Sequence, residues 1–115
     1  MRKIASNKLI NRHGLLPNPL VELDDRGLIV RVTTTARPDR EPFTEFYAGL
    51  LVVGLDNVHT EELLRCLQPL TEWLPSRLTD SSELYLLTGL DFTTLSPTPQ
   101  TRIQRIGAEG SPIGI

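Results

Sequence analysis

The 115-residue chain has a single cysteine, Cys66, so no disulfide can form within it. That usage fits a reducing compartment. It has two histidines, His13 and His59, too few for a histidine-rich metal site. No apolar run approaches the roughly 20 residues of a membrane span. No apolar core follows Arg2 and Lys3, so a secretory leader is not expected. Net charge is −2, without the basic surplus of a nucleic-acid-binding domain. Arg2, Lys3, Lys8, Arg12 and His13 make the start of the chain mildly positive, as a solvated strand face does. No CxxC pair, phosphate-cradling glycine loop, Ser-His-Asp pattern or internal repeat occurs. With 39% hydrophobic and 23% charged residues, the composition is that of an ordinary soluble domain. The expectation is one cytoplasmic domain, able to bury roughly two-thirds of its unfolded surface without staples.

What is present is a succession of short strand signals. Residues 2–10 read as an opening strand, 11–14 as a turn, and Pro17 and Pro19 as marks of a stiff loop. Strands are expected at 20–23 and 28–35, joined by Asp24, Asp25, Arg26 and Gly27 as a hairpin. Pro38 and Pro42 bar regular structure between 36 and 42. Two further strands are expected at 43–47 and 50–53, the second apolar throughout and hence buried on both faces. The period then changes. Leu63, Leu64, Leu67, Leu70 and Leu74 recur at helical spacing, with Thr60 as N-cap and Glu61 and Glu62 in the first turn. Pro69 should kink or split that helix, and Pro75 should help end it. Strands at 83–87 and 100–106 follow, joined by a connection held by Leu90, Phe92 and Leu95. The three glycines and one proline of 107–115 read as a flexible tail. The pattern predicts a mainly β domain over 1–106. It is a small β-sandwich or barrel-like arrangement of about seven short strands, with a kinked amphipathic helix at 60–75.

Residues 45–61 read E-F-Y-A-G-L-L-V-V-G-L-D-N-V-H-T-E. This resembles the point where chains of the amidohydrolase superfamily leave a small β-domain and enter their metal-dependent barrel. The family pattern is an aromatic residue and a glycine, three or four apolar residues, Pro-Gly, two more residues, then Asn-x-His-x-His. Gly49, Leu50, Leu51, Val52, Gly54, Asn57 and His59 fall on it. Val53 stands at the proline and Glu61 at the second histidine. Residues 1–54 resemble the family's N-terminal strands, and 84–106 its closing segment after the barrel. The resemblance implies a composite β-sandwich built from both ends of the chain. The barrel, which takes about 250 residues, is replaced by residues 60–83.

Candidate sites follow from the residues and from the resemblance. In the family the two histidines of H-x-H hold a metal, so His59 and Glu61 are the candidate ligands here. A catalytic zinc needs about three protein ligands, and the other histidine is His13. The bland alternative is an exposed histidine beside a helix start. Asp24 and Asp25 could be paired carboxylates, or the acidic residues of a hairpin turn. Cys66 could be a nucleophile, or a buried structural cysteine between leucines. Trp73 could belong to a partner-binding face, or to the core under the helix. The leading expectation is a non-catalytic composite domain acting by self-association as a homodimer, or by other protein contact. No cofactor, nucleic acid or membrane is implied. Alternatives are a metal-dependent hydrolase whose His59/Glu61 site is completed across an oligomer interface, and an accessory subunit of a full-length amidohydrolase.

Overall fold

The Asp24 carboxylate accepts hydrogen bonds from the backbone N–H groups of Arg26 (2.8 Å) and Leu28 (3.0 Å), and Gly27 supplies a positive φ of 79°. This turn joins β3 (Pro19–Leu23) to β4 (Ile29–Thr34). The computed structural model describes residues 2–37, 40–66 and 68–106. The other strands are β1 (Arg2–Asn11), β2 (Gly14–Pro17), β5 (Glu45–Val53), β6 (Leu84–Thr88) and β7 (Arg102–Ile106). Among the described residues the protein is mainly β, with seven strands in one sheet ordered β4-β3-β1-β5-β6-β7, and β2 paired to the far half of β1. The central β1–β5 pair is parallel, and the other pairs are antiparallel.

In β5, Leu50, Leu51 and Val52 are all fully buried, so both faces of the strand are covered, as its apolar run predicts. On one face Ile10, Leu50, Val52 and Leu87 lie in a cluster with Leu63, Leu70, Leu74 and Leu78. On the other, Ile4, Val21 and Leu23 cluster with Leu51, Leu84, Leu86 and Ile106. Those residues come from both wings of the sheet, so it curls upon itself. The Ile29 N–H donates to the Ser82 carbonyl at 2.7 Å, tying the β4 side to the loop before β6. A single curled sheet thus makes the barrel-like form of the expected architecture.

Two register shifts set which side chains face inward. Between Ser6 and Lys8 of β1, β5 runs from Tyr47 to Leu50, one residue more than its partner. The buried Ser6 hydroxyl donates to the Gly49 carbonyl (2.7 Å) at this irregularity. A second shift, between Glu22 and Leu23, opposes Arg31 and then Ile29. Val30 is skipped and 51% exposed, while Ile29 and Val32 both pack inward. The shift breaks the strict alternation that a regular strand over 28–35 would show.

Several boundaries differ from expectation. Residues 14–17 form β2 rather than turn and loop, because β1 runs on to Asn11 and offers them a pairing edge. The strands expected at 43–47 and 50–53 are one strand, β5, since the irregularity at Gly49 bends pairing without ending it. The helix is split, as Pro69 predicts, into α1 (Thr60–Arg65) and α2 (Leu70–Trp73), with Pro69 as the N-cap of α2. The N-cap of α1 is His59, and Thr60 is already helical. Leu64 is 36% exposed and Phe92 43% exposed, outside the core assigned to them. Leu67 and the expected tail at 107–115 lie outside the described residues. No helix among the described residues is long and apolar enough to cross a membrane.

The start of the β1–β5 pair carries an ion pair with a measurable signature. Arg2 donates to both oxygens of Glu45 at 2.8 Å, and the Tyr47 hydroxyl donates to the same carboxylate at 2.9 Å. The Arg2 hydrogen bond holds the Glu45 carboxyl below its ordinary 4.5, against the opposing effect of partial burial. A depressed folded-state pKa adds stability that is complete above 4.5 and is lost as pH falls through the folded value. The side chains are 29% and 44% exposed, which limits the gain to below about 1 kcal/mol. From about pH 5 to about pH 3, the urea midpoint should fall less in Glu45→Gln than in the parent. Parallel pH profiles would remove Glu45 from the acid response.

Candidate functional site

Beyond β5 the chain turns through Gly54, whose backbone is left-handed (φ 89°, ψ 39°), into a 3-10 turn at Leu55–Asn57. Val58 and His59 are extended, and α1 begins at Thr60. The turn is pinned to the segment after α2, where the Thr79 N–H donates to the Gly54 carbonyl at 3.1 Å. A Cβ at Gly54 would lie 2.7 Å from Thr79 N and 2.9 Å from Thr79 C, so glycine is required for space as well as for φ.

This geometry fixes the candidate metal ligands. His59 and Glu61 are both exposed at the start of α1. The His59 carbonyl accepts the Leu63 N–H (3.1 Å), while its side chain makes no capping bond. His13 sits in the β1–β2 turn, its N–H bonded to the Asn11 side chain (2.8 Å). Among the described residues, no group of three or more His, Cys, Asp and Glu side chains is placed to hold a metal ion.

Asp24 serves the hairpin turn. The Leu28 N–H lowers its pKa most, with burial opposing and the Arg26 N–H adding to the lowering. Cys66 is half-buried rather than enclosed by leucines, because α1 ends at Arg65 and the thiol falls at its C-cap. Its Sγ accepts the Gln68 N–H at 3.4 Å. Trp73 is half-buried and packs on the leucine cluster beneath the helices. The Arg77 guanidinium lies 5.5 Å from the centre of its ring and donates to Glu62 at 2.8 Å. The indole N–H is buried without a protein acceptor, which is uncommon for tryptophan.

Two cavities flank α1. One, of about 240 Å³, lies against β6 and β7 and is lined by Asp56, Val58, Thr60, Tyr85 and Ile103 among others. Burial raises the Tyr85 pKa, helped by the hydrogen bond its hydroxyl donates to Glu83 (3.0 Å). The other, of about 380 Å³, is lined by Glu62, Arg65, Cys66, Gln68, Trp73 and Arg77. The sequence singles out Cys66 and Trp73 separately, but not their grouping with Glu62, Arg65, Gln68 and Arg77. Its signal was the spacing of Glu62 with Arg65 and of Trp73 with Arg77, three and four residues apart on helical turns. The surface phenylalanines were missed as well. Phe43, Phe46 and Phe92 are 99%, 39% and 43% exposed, and they are all the phenylalanines in the chain.

No family model, curated protein or solved structure matches the chain.

Proposed function

We propose that this protein is an amidohydrolase-like composite β-domain that acts by protein contact, as a homodimer, rather than by catalysis. Three observations support the reading. The two blocks that resemble the superfamily meet as the antiparallel β5–β6 pair, Leu50 opposite Leu87. The segment between them lays Leu63, Leu70 and Leu74 over the sheet face that a barrel would otherwise cover. His59 and Glu61, where the resemblance would put metal ligands, are exposed at the start of α1.

The observation that carries the contact function is the placement of aromatic residues. Phenylalanine is ordinarily a core residue. Here the largest fully buried side chains are Leu, Ile and Val, while every phenylalanine is outside. Phe43 also has a left-handed backbone (φ 55°), which costs a bulky residue about 1–2 kcal/mol. A strained and fully exposed aromatic gains little within one chain, whereas aromatic anchors carry much of the energy of interfaces. Arg37, Arg40 and Glu41 precede the Phe43–Phe46 segment in the chain and carry both signs of charge. Such a surface can meet its own two-fold copy with Arg opposite Glu.

Sedimentation or light scattering from about 1 μM to about 1 mM should show a monomer–dimer equilibrium. The Phe43→Ala/Phe46→Ala variant should raise its dissociation constant at least about tenfold without loss of folding. A monomer at every concentration would sink this reading. An unaltered dimer in the double variant would move the interface elsewhere.

A further inference from the structure

We propose that the cleft between α1 and α2 is a binding site for a small organic anion, a carboxylate or phosphate carried on a planar ring. Its volume of about 380 Å³ falls within the roughly 300–1,000 Å³ of small-molecule sites, whereas the cavity beside Tyr85, at about 240 Å³, falls below it. Two guanidiniums and one carboxylate line the cleft: Arg65, Arg77 and Glu62. Glu62 is already engaged by Arg77 at 2.8 Å, and that bond helps hold the Arg77 plane 5.5 Å from the Trp73 ring. Arg65 makes no ion pair among the described residues. Its planar fork of donors is therefore open to a carboxylate or phosphate, groups it matches with two parallel hydrogen bonds.

A cation in the last turn of a helix also complements the helix dipole. In a helix of six residues that role is small. It does not account for a second guanidinium held 5.5 Å from an aromatic ring in the same cleft. Trp73 and Arg77 line the cleft with planar groups suited to a ring, while Arg65 supplies charge for its acidic substituent. A cationic ligand would meet the excess guanidinium, and a neutral one would leave Arg65 unused. This cleft shares no residue with the Phe43–Phe46 surface, so either proposal can fail alone.

The chain carries its own reporters, because its single tryptophan and its single cysteine both line the cleft. Phenyl phosphate, benzoate and benzyl alcohol are titrated into the full chain while Trp73 fluorescence is followed. The two anions should give a saturable change and benzyl alcohol none. Each bound anion should also slow alkylation of Cys66 by iodoacetamide. Arg65→Gln should weaken anion binding about tenfold or more, as expected for a lost charge-assisted hydrogen bond. Arg31→Gln, on β4, should bind as the parent does. A response to one anion alone supports the site and selects between phosphate and carboxylate. No saturable change up to about 10 mM, an equal response to benzyl alcohol, or unchanged affinity in Arg65→Gln overturns the proposal.

Discussion

Replacing Gly54 with alanine should destabilise the protein by about 3–5 kcal/mol, a large share of the roughly 5–15 kcal/mol typical of a domain. Two effects add. The left-handed backbone at φ 89° costs an alanine about 1–2 kcal/mol. The new Cβ would also meet Thr79 N at 2.7 Å and Thr79 C at 2.9 Å. Those are backbone atoms, so no rotamer change relieves the overlap. Moving them breaks the Thr79–Gly54 hydrogen bond and lifts the segment after α2 from the sheet. Gly14→Ala is the matched control. Its φ is 120°, yet nothing lies within 4 Å of its added Cβ. Backbone strain alone should cost about 1–3 kcal/mol there. Urea unfolding separates the two, since about 1–3 kcal/mol per molar makes the Gly54→Ala midpoint shift one molar or more. Equal costs at both positions would mean that the approach of Thr79 is not close. The requirement for glycine at this position is set by Thr79, a neighbour in the segment after α2.

The sequence made the β character legible wherever residue type alone decides the conformation. The Asp24–Gly27 turn, the doubly buried run of Leu50, Leu51 and Val52, and the break at Pro69 each depend on local chemistry. What stayed hidden depends on pairing between distant segments. The strand at Gly14–Pro17 exists because β1 extends past Ala5 and Lys8 to Asn11, a length set by its partners. The exposure of Val30 follows from a register shift against β3 that no pattern within residues 28–35 reveals. The cleft was hidden for the same reason. Arg65 ends one helix and Trp73 ends the next, and only the packing of both on the sheet puts them on one wall. Candidate ligands chosen by motif spacing, His59 and Glu61, are displayed outward because the helix start that carries them buries Leu63 instead.

Leu63→Ala should cost about 2–5 kcal/mol, while Leu64→Ala beside it should cost less than about 1 kcal/mol. The two residues are chemically identical and adjacent, so the contrast isolates burial. Leu63 is fully buried and is the one buried residue of α1, whereas Leu64 is 36% exposed. A six-residue helix has too little propensity to persist alone. Its attachment therefore rests on Leu63 in the cluster with Leu50, Val52 and Leu87. Removing that anchor should raise amide exchange across Thr60–Arg65 more than in β1 or β5, in addition to lowering the urea midpoint. A uniform rise across all elements would mean instead that α1 unfolds only with the sheet. The same variant tests the division of labour in the fold. If bridging helices cover the sheet face while the phenylalanines make the contact, Leu63→Ala should weaken the domain and leave the dimer dissociation constant unchanged wherever the protein remains folded. A dissociation constant that moves with α1 would place the helices in the interface, and the sheet cover and the contact surface would then be one structure.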